Sequence, residues 1–213
     1  RKSLNYMDFK SPTEKIIFFK IPTIFFSLLP FFLITGPFLS DLSVSLISVL
    51  FLIYCYKNKN FTFFKNKFFY IFLIFWFYLI FNSTINNTNF DSLKISIFYF
   101  RYGVFIIAIV ALLNFDKNFL KYFFYCTITC FLILIIDGFF QYFNPNETNI
   151  LGFSSSSYGR VSSFFGKELI LGSYIARLWP ILFGLTIIFF NQKKNKFYLA
   201  IISLFILSEV LIF

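Results

Sequence analysis

The chain has 213 residues, of which 59% are hydrophobic and only 13% charged. A soluble domain carries roughly a quarter charged residues, so this chain cannot cover a water-facing surface, and most of it must be solvated by lipid. Its formal net charge of +10 does not point to nucleic acid, because the basic residues sit in short runs between apolar stretches, the pattern of topology signals.

The lack of any histidine excludes a histidine base, a histidine metal site and a histidine-dependent triad within the chain. Cys55, Cys126 and Cys130 lie in or at the edge of apolar stretches. They read as packing residues rather than a disulfide framework, and neither a cofactor nor a metal is implied. The fold class is all-α, a polytopic membrane protein.

A bilayer core needs about 20 apolar helical residues per crossing. In chain order, about seven transmembrane spans are predicted: 16–35, 38–56, 68–82, 94–113, 118–140, 169–190 and 197–213. Pro22, Pro30 and Pro37 make the first span and its exit irregular, because a proline removes a helical hydrogen bond and forces a kink. The first apolar run lacks a small-residue cleavage site, so it is not read as a signal peptide. The longest loop, 141–167, holds Asn144-Pro145-Asn146 and four consecutive serines from Ser154, both turn chemistry. Because the chain starts at Arg1 and stops inside an apolar run at Phe213, it is expected to be a single transmembrane domain truncated at both ends.

Orientation follows from the lysines and arginines. With the N-terminus inside, the inner segments hold fourteen: Arg1, Lys2, Lys10, Lys15, Lys20, Lys57, Lys59, Lys65, Lys67, Lys117, Lys121, Lys193, Lys194 and Lys196. The outer segments hold Lys94, Arg160 and Lys167, and Arg101 and Arg177 fall within spans. Positive-inside asymmetry then predicts a cytoplasmic N-terminus and an outer 141–167 loop.

Ionisable groups inside a membrane cost about 2.5–3.5 kcal/mol each and normally face a cavity or a partner. Asp41, Arg101, Asp137, Glu168, Arg177 and Glu209 are in or near spans. At ~1.5 Å of rise per residue, all six fall in the outer half of the predicted bilayer, which implies a polar cavity open to the outside. Bland roles stand beside this one. Asp41 and Asp137 can reach water from span ends, and Asp137 and Gln141, four residues apart on one face, can cap a span together. Glu168 suits the first turn of the sixth span. Arg101 shares a face with Lys94 seven residues earlier, and it and Arg177 can snorkel. Glu209 can pair with either arginine. Arginines gathered in an outer cavity suit phosphate oxygens, because guanidinium keeps its charge on burial and binds in a fork.

The run Gly159-Arg160-Val161-Ser162-Ser163-Phe164-Phe165-Gly166-Lys167-Glu168 continues through Gly172, Tyr174 and Arg177 to Pro180. It resembles the R-x-S-G-x-F-G-x-E-x-x-x-G-x-Y-x-x-R-x-x-P stretch of the O-antigen ligase and O-antigen polymerase family. Asp137-Gly138-Phe139-Phe140-Gln141-Tyr142-Phe143, Asn149-Ile150-Leu151-Gly152 and Gly36-Pro37-Phe38-Leu39-Ser40-Asp41 are similar to its flanking segments. Arg101 is similar to an arginine often found in the fourth span. Ser163 departs from the pattern, standing where the family commonly has glycine.

The resemblance implies a membrane glycosyltransferase C-type bundle in the bacterial inner membrane. The implied reaction moves a glycan from a polyprenyl diphosphate carrier to lipid A core, or to another carrier-linked glycan acceptor, on the periplasmic face. Arg160, Arg177 and Glu168 take the catalytic positions, the arginines on the diphosphate and Glu168 orienting an arginine or a sugar hydroxyl. Arg101, Asp41, Asp137 and Glu209 are expected to line the substrate site. The chain alone is expected to be inactive, because the catalytic histidine of ligases would follow Phe213. A secondary solute transporter and a non-catalytic membrane scaffold are the alternatives; the first is disfavoured by the lack of a visible repeat.

Overall fold

The computed structural model describes residues 11–86, 90–116, 118–144, 146, 148–154, 161–166, 168, 170–190, 201–206 and 208. Its elements in chain order are α1 (Pro12–Lys15), a π-helical turn (Ile16–Lys20), α2 (Ile21–Ser27), α3 (Leu29–Thr35), α4 (Pro37–Lys57), α5 (Lys67–Asn86), α6 (Phe90–Phe98), α7 (Phe100–Phe115), α8 (Phe119–Phe143) and α9 (Leu171–Phe190). Single 3-10 turns occupy Thr62–Phe64 and Ser163–Phe165. Among the described residues there is no strand, only an isolated bridge between Thr148 and Ser154.

Five helical stretches are long and apolar enough to cross a membrane: α4, α5, α6 with α7, α8 and α9. A sixth is added if the broken pair Pro12–Ser27 and Leu29–Thr35 counts as one crossing. Of the predicted seventh span, residues 201–206 and 208 are helical and the others lie outside the described residues. Ile74, Phe81 and Ile136 are more than 60% exposed, and no residue in the most apolar window of α5 is buried. Such a surface is unfavourable in water and ordinary in a bilayer, so the chain has the character of a multi-pass helical membrane protein.

Local chemistry accounts for the breaks. Pro22 has no N–H to donate and its ring crowds the carbonyl four residues back. The helix widens just before it into the π turn, where the Ile21 N–H reaches the Ile16 carbonyl. The Thr23 hydroxyl donates to the Phe19 carbonyl at 2.7 Å. Leu28 interrupts the helix beside Leu29, whose helical conformation is disfavoured by Pro30. Gly36, at φ +121°, takes a backbone conformation closed to most L-residues, and Pro37 then opens α4 from a position where its missing N–H costs nothing. At the chain's first described helix, the Ser11 hydroxyl accepts the Glu14 N–H at 3.2 Å, a serine cap of the kind Ser-x-x-Glu encodes.

The chain divides into two compact units. The first contains α1, α2, α4, α5, α6 and α7, and the second contains Pro30–Pro37, α8 and α9. In the first, Ile47, Phe51, Tyr54, Val104, Ala108 and Leu112 form the buried core. Polar bonds stitch its helices together. Trp76 donates to the Ser96 carbonyl at 3.0 Å, and the Ser83 and Ser96 hydroxyls bond across α5 and α6. Gly103 lets the Phe72 ring lie against α7, where a Cβ would meet it at 2.1 Å. In the second unit, Phe131 packs edge-on against Trp179 at 5.4 Å and Tyr174 at 6.3 Å. The Tyr174 hydroxyl donates to the Pro30 carbonyl at 2.6 Å and lies 3.2 Å from the Cys130 sulfur.

Candidate functional site

The densest polar network lies in the second unit, where the C-terminal end of α8 meets the segment that follows it. Asp137 and Gln141 share one face of α8 and are 0% and 2% exposed. One Asp137 oxygen accepts the Ile150 N–H at 2.9 Å, and the other accepts the Ser163 hydroxyl at 2.5 Å. The Gln141 carbonyl accepts the N–H groups of Ser162 at 3.0 Å and Ser163 at 2.8 Å. Asn149 completes the network. Its amide donates to the Ser163 carbonyl at 3.0 Å, and its oxygen accepts from Leu151 and Phe153 at 3.0 and 2.8 Å. Asn144 donates to the Thr148 carbonyl at 3.0 Å. These bonds replace the water a buried loop would otherwise need.

Ser163 adopts φ +50°, a left-handed conformation that costs a non-glycine residue roughly 1–2 kcal/mol. The departure from glycine noted in the sequence therefore falls on a backbone that glycine would adopt freely. The serine is held there by its hydroxyl on Asp137, its N–H on Gln141 and its carbonyl on Asn149. Gly166 follows at φ +62°.

Asp137 was expected either to reach water or to line a substrate site. It does not reach water: it is wholly buried, and both oxygens are engaged by the loop. It acts as an anchor, and Gln141, read from sequence only as a capping partner, holds the same segment.

A second polar cluster lies in the first unit. Arg101 on α7 pairs with Asp41 on α4 at 2.7 Å, and one of its nitrogens lies 3.3 Å from the Ser45 hydroxyl. The Tyr102 hydroxyl bridges them, donating to Asp41 and accepting from Arg101, both at 3.2 Å. The Ser48 hydroxyl donates to the Arg101 carbonyl at 3.0 Å. Arg101 Nε is buried and has no hydrogen-bond partner among the described residues. The Arg101 side chain is 28% exposed and that of Asp41 48%. Asp41 sits one turn into α4, ~6 Å from Pro37, so the pair lies near that end of the unit. Lys94 and Arg101 lie on one continuous helical stretch, since Tyr99 between α6 and α7 keeps helical dihedrals and its N–H still donates to the Ile95 carbonyl at 3.1 Å. On that stretch Arg101 meets a carboxylate.

Of the remaining expected site residues, Arg177 is exposed on α9, ~9 Å along the helix from Leu171, and makes no ion pair among the described residues. Glu168 is exposed, and its N–H donates to the Phe165 carbonyl at 3.1 Å. Arg160 and Glu209 lie outside the described residues. Asp41 and Arg101 are brought together in the first unit, while Asp137, Glu168 and Arg177 belong to the second. Sequence reasoning missed Asn149 and Ser162 as network members, and it missed the separate bond from the Tyr174 hydroxyl to the Pro30 carbonyl. For Asn149 the available signal was an asparagine just before Ile150-Leu151-Gly152, a place where its side chain can bond its own following backbone.

No protein-family model, curated protein or solved structure matches the chain.

Proposed function

We propose that this chain is part of an integral membrane glycan transferase similar to the O-antigen ligase and polymerase family. In this reading it moves saccharide from a polyprenyl diphosphate carrier to lipid A core or a growing polysaccharide on the periplasmic face. The observation that supports it most is the anchored serine pair. Ser162 stands at the serine position of the family-like motif and Ser163 at its glycine position, and they are the residues gripped by Gln141 and Asp137. A rigidly held backbone is what a segment carrying phosphate-binding arginines needs, because misplacement by 1 Å is costly in transfer chemistry. Arg160 precedes Ser162 by two residues, and Glu168 and Arg177 follow in the same motif.

The chemistry asked of these groups is electrostatic. An acceptor hydroxyl attacks the anomeric carbon and gives up its proton, and the bond from that carbon to the diphosphate oxygen breaks. Negative charge grows on the leaving lipid diphosphate. Fixed guanidinium groups lower that barrier if they meet the developing charge in a site shielded from water. Arg160 and Arg177 would hold the diphosphate, with Glu168 orienting an arginine or a sugar hydroxyl. The pairing of Arg101 with Asp41 removes its net charge and gives it the lesser share of phosphate binding. A solute transporter is the second reading; its broken-helix feature has a counterpart in the interruption at Leu28, which the adjacent Pro30 explains locally.

In the full-length protein, Arg177→Ala is expected to leave membrane abundance unchanged and to reduce transfer from a polyprenyl diphosphate-linked donor by at least 100-fold, the scale of losing one anion-stabilising donor. Glycan products resolved on gels from a complemented deletion strain, beside an immunoblot of the membrane fraction, check this. Normal product with normal abundance would remove Arg177 from the site.

A further inference from the structure

The connection between α4 and α5 was read from sequence only as a topology signal, and its geometry goes further. We infer that this loop is a binding surface for the headgroups of anionic phospholipids. It begins at Lys57, the last residue of α4, and ends at Lys67, the first of α5. Both flanking helices are long and apolar enough to cross a bilayer, so the loop is held at a membrane boundary.

The loop is built rather than slack. The Asn60 N–H donates to the Cys55 carbonyl at 3.0 Å, and the Asn58 amide to the Tyr54 carbonyl at 3.3 Å. Asn60 accepts the Thr62 N–H at 3.2 Å, and Asn66 accepts the Phe68 N–H at 3.2 Å at the start of α5. Phe63 and Phe64 turn inward onto Phe51, with ring centroids 5.6 and 6.0 Å apart. These bonds and rings fix the backbone that carries Lys59, Lys65 and Lys67.

All three lysines are exposed and none makes an ion pair among the described residues. The fourth, Lys57, is taken by Glu14 at 2.6 Å, which brings the start of the first span to this end. Lys15 lies over the Phe115 ring at 5.6 Å, so the end of α7 and its following Asp116 belong here too. With Glu14 engaged by Lys57, Asp116 remains as the acidic side chain at the end of α7, against Lys15, Lys59, Lys65 and Lys67. The surface is strongly positive and pre-ordered.

Exposed rings select the source of the anion. Tyr56 is 79% exposed, Phe61 51% and Phe68 78%. Beside lysines at a bilayer boundary, the amphipathic Tyr56 ring suits the headgroup level, and the Phe61 and Phe68 rings offer apolar area to acyl chains. A free phosphate would use the ammonium groups and leave the rings in water. A phosphodiester with attached acyl chains uses both. The inference does not depend on the transferase reading.

Each lysine facing an anionic surface contributes a factor of about five in affinity. Native mass spectrometry of the protein in detergent, titrated with phosphatidylglycerol or phosphatidylcholine, should show preferential retention of phosphatidylglycerol. The combined variant Lys59→Gln, Lys65→Gln and Lys67→Gln should weaken phosphatidylglycerol retention on the order of 100-fold, and Lys94→Gln, on another helix, should not. The three single variants should each lose a smaller share, which keeps the test decisive if the combined variant folds poorly. Raising salt should weaken retention by the wild type. Equal retention of both lipids, or an unchanged preference in the lysine variants, would overturn the inference. So would full competition by inorganic phosphate, which would mark a small-anion site in place of a lipid surface.

Discussion

Asp137→Ala is expected to release the segment around Ser163 and destabilise the protein by about 4 kcal/mol. The carboxylate is wholly buried and satisfies two donors, the Ile150 N–H and the Ser163 hydroxyl. Removing it strands both donors, at about 1–3 kcal/mol each. Asp137→Asn should cost far less. Its amide oxygen can still accept the Ile150 N–H, and its amide NH2 can donate to the Ser163 hydroxyl oxygen, so the buried contacts are kept in part. Ser163→Gly tests the same account from the other side. Alone it should be nearly neutral, because relief of the left-handed backbone offsets the lost hydroxyl bond. In the Asp137→Ala background it should recover about half of the lost stability, since it removes both the strain and a stranded hydroxyl. Denaturant unfolding in detergent measures the stabilities, and hydrogen exchange at the Ser162 and Ser163 amides measures the release. An Asp137→Ala variant within 1 kcal/mol of wild type would refute the anchor.

Asp41→Ala is expected to destabilise the first unit by about 2 kcal/mol. It leaves the Arg101 guanidinium within an apolar helix without its carboxylate, and Arg101 Nε is already without a partner among the described residues. The full penalty for breaking a buried pair, 3–5 kcal/mol, is discounted because Asp41 is about half exposed and Arg101 can turn toward the boundary. Arg101→Gln with Asp41→Asn should be milder than Asp41→Ala, since no charge is then left alone and a side-chain amide pair can still bond. A double-mutant cycle read by unfolding free energies should give a coupling above 1 kcal/mol. Additive single effects would show that the two groups do not stabilise each other.

The sequence made the spans legible because lipid imposes a simple requirement, about 20 apolar residues for each crossing. The predicted span 38–56 lies inside α4, and 118–140 differs from α8 by three residues or fewer at its ends. Pro22, Pro30 and Pro37 were read as irregularities, and the π turn, the break at Leu28 and the opening of α4 fall at or beside them. The pairings were not legible. Asp41 and Arg101 are separated by sixty residues, and Ser163 lies twenty-six beyond Asp137. Periodicity identifies shared faces within one helix and says nothing of what returns to cover them. Thus Asp137 and Gln141 were recognised as neighbours, but the loop they hold was not. Glu14 was passed over for a similar reason, since its partner Lys57 comes from a different helix.

The most direct test of the central claim is binding of undecaprenyl diphosphate to the full-length protein in nanodiscs. The wild type is expected to bind it, and Arg160→Ala and Arg177→Ala each to weaken it at least ten-fold, consistent with loss of a charge-assisted contact worth about 1.5–3 kcal/mol. No binding by the wild type, or undiminished binding by both variants, would contradict the account.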